Sequence, residues 1–159
     1  MKKQLVISAL MLIFSAQIFA AKPKDLKYFP EGERLVYTRL LDAYRRADLT
    51  AVQRHRNTLQ RSYPASIHLD NAYYLTGMLQ LQNERYGEAV RDFGVVKQRF
   101  VRSGKRPGAL FALGVTYQRL NLQPQARRVF NQLRKEYPGS TEAQRAWMQL
   151  KLESTTKKR

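Results

Sequence analysis

The chain repeats itself every 37 residues. Tyr63, Phe100 and Tyr137 stand at that spacing, and the same offset threads most of what lies between them. Val36, Tyr73, Leu110 and Trp147 form one column, and Tyr37, Tyr74 and Phe111 form the next. Leu41, Met78 and Val115 follow, then Val52, Ala89 and Ala126, then Leu59, Val96 and Leu133. Gly77 matches Gly114 and Phe93 matches Phe130. So many chemically matched columns at one offset mark a stack of supersecondary units. None of these buries its apolar face alone, and about three are needed for a stable array.

Each unit reads as two helices. In the third, Pro107 and Gly108 open a helix to about Leu120, with Leu110, Leu113, Gly114 and Tyr117 along one face. Asn121 to Pro124 makes the turn, with Pro124 suited to the first position of the next helix. That helix buries Ala126, Phe130 and Leu133 and stops at Tyr137-Pro138-Gly139, where proline and glycine end helical geometry. The second unit repeats the pattern. The first is more degenerate, with Leu40 in the glycine column and Arg56 in the phenylalanine column. Gly77 and Gly114, set against Ala89 and Ala126, are expected to let paired helices approach, with Phe93 and Phe130 filling the gap to the next pair. The fold class is all-α: a helical solenoid over residues 33–154, with repeats at about 33–66, 70–103 and 107–140. Residues 141–154 form a C-terminal capping helix with a polar back, and 155–159 a basic tail.

The N-terminus is read separately. Lys2 and Lys3 precede an apolar run from Leu5 to Phe14, and small residues around Ala20 and Ala21 follow. A positive start, a short apolar stretch and a small-residue exit predict a secretory signal over residues 1–20, cleaved near Ala20. The run falls short of the roughly 20 residues that span a bilayer, and none recurs later, so no transmembrane segment is expected in the mature chain. Residues 21–32 read as a linker. The expected compartment is the periplasm. With 0 cysteines, neither a disulfide nor an acylated lipoprotein cysteine is available.

Charge then narrows the partners. Lys and Arg number 29 against 12 Asp and Glu, a formal net charge of +17, and loss of Lys2 and Lys3 leaves the sign unchanged. Such a chain attracts anionic partners: a protein or peptide with acidic groups, or an anionic lipid or glycolipid surface. Nucleic acid fits the charge as well, but export argues against it. The basic residues Arg54, Arg56 and Arg61 in the first repeat, and Lys97, Arg99, Arg102, Lys105 and Arg106 around the second loop, form a candidate basic surface. Arginine predominates over lysine, which suits bidentate recognition of carboxylate or phosphate.

Catalysis finds no constellation. His55 and His68 are the only histidines, and neither belongs to a metal-spacing motif. Glu84, Glu88 and Asp92 share one helix face at spacing four beside Arg85 and Arg91, which reads as surface ion pairing. Gly104 to Gly108 lacks the phosphate-cradling pattern and follows no strand. No catalytic residue, metal ligand or cofactor is assigned, and the chain is read as a non-enzyme.

The third repeat, through Leu110, Leu113, Gly114, Tyr117, Ala126, Phe130, Leu133 and Pro138, resembles the tetratricopeptide-repeat family. Tyr73, Gly77, Ala89 and Phe93 carry the resemblance in the second repeat. The longer period and the loops ending YPAS and YPGS resemble the bacterial-envelope subgroup. That subgroup includes the C-terminal domain of the Tol-Pal-associated protein CpoB (YbgF) and the outer-membrane assembly lipoprotein BamD. The N-terminal coiled coil of the former, and the acylated cysteine and extra repeats of the latter, have no counterpart here. The resemblance implies a protein-binding scaffold whose first helices line a concave groove. The residues that carry over are Tyr37, Leu41, Tyr44 and Arg45; Tyr74, Met78, Leu81 and Gln82; and Phe111, Val115, Gln118 and Arg119.

Overall fold

The computed structural model describes residues 31–156. The signal over 1–20, all but the last two residues of the 21–32 linker and the end of the basic tail lie outside the described residues. Seven helices follow in order: α1 Glu31–Arg45, α2 Leu49–Ser62, α3 Leu69–Gln82, α4 Tyr86–Arg99, α5 Arg106–Arg119, α6 Gln123–Glu136 and α7 Thr141–Thr156. The first helix therefore starts at Glu31, inside the expected linker.

Each helix packs on its sequence neighbour, and α1, α3, α5 and α7 also touch one another in succession. Among the described residues α2, α4 and α6 make no such contact with each other. The first helices of the pairs thus lie on the shorter, inner side of a curved stack. This is the all-α solenoid of three pairs and a final helix that the period predicts.

The period also appears in backbone geometry that side-chain columns conceal. Ala47, Glu84 and Asn121, spaced by 37, all have positive φ, at 54°, 59° and 58°. In each turn two bonds close the first helix. For the third they run from Asn121 N to Gln118 O at 2.9 Å and from Leu122 N to Tyr117 O at 2.8 Å. This is a Schellman ending built without glycine. The loops between pairs repeat as well. Ser66, Ser103 and Ser140 each donate a backbone N–H to the carbonyl of the aromatic at 63, 100 or 137. Their hydroxyls accept from His68, Lys105 and Ala143 N–H, satisfying orphan donors at the start of α3, α5 and α7.

The core lies between the helices of each pair, where Ala89, Phe93 and Val96 of α4 and Ala126, Phe130 and Leu133 of α6 are all 0% exposed. The glycines face a different partner from the expected alanines. A Cβ on Gly77 would stand 2.7 Å from the Phe93 ring, and one on Gly114 2.3 Å from the Phe130 ring. Both rings lie on the glycine of their own pair. The first pair reaches the same packing by an exchange. Leu40 is fully buried at the glycine position, so its own side chain fills the space. Arg56, at the ring position, turns away to lie 4.9 Å above the Tyr73 ring and 3.4 Å from Asp92 Oδ2.

The final helix departs from expectation. Ala143 and Ala146 are buried and Leu150 is half-buried, but Trp147, Met148 and Leu152 are 47%, 50% and 61% exposed. Meanwhile Arg145, expected on the polar back, lies 4.2 Å above the Phe111 ring. Gln144, Arg145 and Lys151 are nonetheless exposed, so the polar back is present, and what departs from expectation is the exposure of Trp147 and Leu152.

Candidate protein-binding groove and basic edge

The aromatic column on the first helices sits between those helices, half-buried. Tyr37 of α1 stacks on His68 at the start of α3, with centroids 4.0 Å apart and planes 7° from parallel. Its hydroxyl accepts from Asn71 at 2.6 Å. Tyr74 of α3 reaches α5, where a Cβ on Gly108 would lie 3.2 Å from its hydroxyl, and its ring tilts against Phe93. Burial raises the Tyr74 pKa above the ordinary phenol value, with Tyr44 and Glu142 adding to the rise and Arg145 opposing it. Phe111 of α5 lies under Arg145 of α7 and tilts on Phe130. The column joins successive first helices as well as forming part of the inner lining.

Beside it, Leu41, Met78, Val115, Tyr44 and Leu81 are partly buried against the core. The last residues of the first helices, Arg45, Gln82 and Arg119, form a further column at the same spacing and are all exposed. Arg45 pairs with Asp42 at 2.7 Å across open solvent, a contact of small net strength. Gln118, one position back, is half-buried. An apolar row and a polar, mainly basic row therefore run in parallel, four residues or about 6 Å apart along each helix.

The proposed basic surface divides. Arg54, Arg61, Arg99, Arg102 and Lys105 are exposed and Lys97 is half-buried, but Arg56 and Arg106 are interior. The Arg56 side chain is 14% exposed and that of its partner Asp92 8%. Burial raises the Asp92 pKa despite Arg56 and a Gln80 hydrogen bond. Arg106 donates to Lys97 O at 3.0 Å, to the Tyr137 hydroxyl at 2.9 Å and to the Glu136 carboxylate. Burial opposes its charge, yet Glu136 and Tyr137 outweigh this and raise its pKa. Both arginines tie neighbouring pairs together and are withdrawn from any outer surface. Asp92 likewise leaves the expected surface ion-pair row, in which Arg85 and Glu88 remain at 2.6 Å.

What survives on one edge is a loop cleft of about 380 Å³ lined by Ile67, Asp70, Arg99, Phe100, Val101, Arg102 and Ser103. Ile67 and Val101 are more than half exposed there. Arg54 and Arg61 are not among its lining residues. Among the described residues no three His, Asp or Glu come together as a metal site, and no helix is long and apolar enough to cross a membrane. His55 is held below the ordinary imidazole pKa, first by burial and then by Arg54 and Arg39, with Asp48 opposing.

Residues 108–140, α5 with α6 and the loop that follows, match a tetratricopeptide-repeat family profile. This stretch is a tetratricopeptide repeat. The equivalent turns and loops at 37-residue spacing give the two preceding pairs the same architecture. Tetratricopeptide repeats are typically non-enzymatic modules for protein interaction, so the match supports a protein-binding scaffold. No curated protein matches the chain.

Proposed function

We propose that the chain is an exported adaptor of the bacterial envelope, which holds a protein or peptide partner along the inner face of its tetratricopeptide stack. One observation carries the groove reading. The half-buried row of Leu41, Met78 and Val115 runs beside the exposed row of Arg45, Gln82 and Arg119 on successive first helices. A partner lying along the stack would set apolar side chains on the first row and carboxylates on the second. Mixed aromatic, aliphatic and arginine surfaces of this kind are enriched at interface hot spots. The basic, apolar, small-residue order of residues 1–20 supports export to the periplasm. The long loops and their YPAS and YPGS endings support a place in cell division of the Tol-Pal type or in outer-membrane assembly.

The exposed Ile67 and Val101 beside Arg99 and Arg102 favour a second reading, in which this loop edge rests on an anionic lipid or glycolipid surface. One comparison separates the two. Arg45→Glu with Arg119→Glu alters the groove, Arg99→Glu with Arg102→Glu alters the edge, and neither pair is part of the core. Capture from envelope extracts should fall at least tenfold with the groove variant and persist with the edge variant. The reverse result removes the groove reading and leaves the edge.

A further inference from the structure

The outer side of the stack carries a charged row that neither the core nor the inner groove employs. Arg54, Arg91 and Arg128 recur at 37-residue spacing, each the sixth residue of α2, α4 or α6, and all three are exposed. Helix chemistry explains the other cations of these helices but not this row. Arg61, Lys97, Arg99, Arg134 and Lys135 lie in the last turns, where positive charge meets the negative end of the helix dipole. In mid-helix that benefit is lost. A surface arginine is otherwise steadied by a carboxylate three or four positions away, and Arg54 and Arg128 have none there. Arg91 has Glu88, but that carboxylate is bound to Arg85 at 2.6 Å and to Gln53 at 2.9 Å. Arg91 also favours the charged form of Asp92, which is buried beside Arg56. Glu136, the one carboxylate of α6, is bound to Arg106. Among the described residues the row therefore makes no ion pair. Glu84, in the turn before α4, shares an open cleft with Arg91 and marks the edge of the basic strip.

The chemistry of the strip selects its occupant. No large apolar or aromatic side chain of α2, α4 or α6 is exposed. The strip thus offers no anchor of the kind that dominates protein interfaces, no ring on which nucleobases stack and no wedge for an acyl layer. It also lies on the convex side, where a flat membrane would meet only the crest and a flexible chain could follow the arc. Guanidinium forks take carboxylates bidentately. One turn beyond Arg54 and Arg128, Asn57 and Asn131 are exposed, and their amides both donate and accept, which suits hydroxyl groups. Carboxylates set among hydroxyls along a flexible chain are the chemistry of an acidic polysaccharide.

We propose that the outer faces of α2, α4 and α6 bind a linear polysaccharide of uronate type, its carboxylates held by the row of Arg54, Arg91 and Arg128. The row lies on the side away from the inner groove, so it stands or falls independently of the proposed function.

The probe is a fluorescently labelled linear polygalacturonate, titrated with the protein and read by anisotropy. It should bind saturably, and the affinity should fall as salt rises. Galacturonate monomer, which meets one arginine at a time, should compete at least hundredfold more weakly per carboxylate. Arg54→Gln, Arg91→Gln and Arg128→Gln together should weaken binding at least tenfold while the far-UV helical signal is kept. Arg34→Gln, Arg46→Gln and Lys105→Gln remove the same charge from exposed positions off the second helices, and should change the affinity less than threefold. Equal losses in the two triple variants would reduce the attraction to net charge and overturn the row. Tighter binding of a thymidine oligonucleotide, or of vesicles of phosphatidylglycerol and phosphatidylethanolamine, lost in the row variant, would assign the face to nucleic acid or lipid and overturn the proposal. Absence of polygalacturonate binding by the unaltered protein would remove it.

Discussion

Substituting alanine for glycine in a helix normally stabilises it, by up to about 1 kcal/mol, because alanine loses less backbone freedom on folding. In this protein the sign should depend on which glycine is chosen. Gly94 lies in the middle of α4, and a Cβ there meets nothing within 4 Å. Gly94→Ala should therefore add about 0.5–1 kcal/mol. At Gly114 the new carbon would stand 2.3 Å from a ring carbon of Phe130, far inside the roughly 3.5–4.0 Å at which carbons rest. Phe130 is 0% exposed, so its ring is enclosed by other core groups that must give if it shifts. Overpacking of that kind costs about 1–3 kcal/mol, so Gly114→Ala should lose about 1–2 kcal/mol after its helix-forming gain. Thermal or urea melts would resolve both, since 1 kcal/mol moves the midpoint by several degrees in a domain of this size. Phe130→Leu makes the space. Alone it should cost about 1 kcal/mol, but combined with Gly114→Ala the total should fall well below the sum. Melting shifts of the same sign at Gly94 and Gly114, or strict additivity with Phe130→Leu, would refute the assigned contact.

Two further outcomes follow from the ion pairs and the leader. The hydrogen bond from Arg106 holds the Glu136 pKa below the ordinary carboxylate value, so its contribution is present above that value and lost as pH falls through the lower, folded one. Glu136→Gln should lower stability at neutral pH by on the order of 1 kcal/mol and flatten the acid limb of a melting-temperature profile, and an unchanged acid slope would count against the pair. If residues 1–20 are an export signal, intact mass of the periplasmic protein should correspond to a chain beginning at Ala21, whereas uncleaved chain in the cytoplasm would remove the envelope reading.

The helix pairs were legible in the sequence, because one offset repeated across many chemically matched columns, while the inner position of the first helices followed from the tetratricopeptide resemblance and not from the offset. Which side chain opposes which was not, since a period says what is equivalent and is silent on what touches. Gly77 was set against Ala89, yet the ring one turn further along α4 reaches it. The misplaced arginines are more instructive. Arg56 stands in the column of Phe93 and Phe130, and Arg106 in that of Leu69 and Ala143, all of them buried. Reading along the column marks both positions as interior, whereas reading along the chain groups them with their basic neighbours. The open face of α7 was hidden for the opposite reason. Trp147 sits in a buried column, but the column does not say what covers its members: Tyr73 lies under Arg56 of the preceding pair and against Phe100 of its own.

The three aromatic contacts between first helices have a mechanical consequence. Tyr37 on His68, Tyr74 on Gly108 and Phe111 under Arg145 are the joints along the inner side of the stack, and no helix contact ties its first helix to its last. Its radius of curvature is then set by three small angles in series, with no closure to enforce any one of them. A fraction of an ångström of sliding at each joint would add along the stack, so its curvature should yield like a short spring.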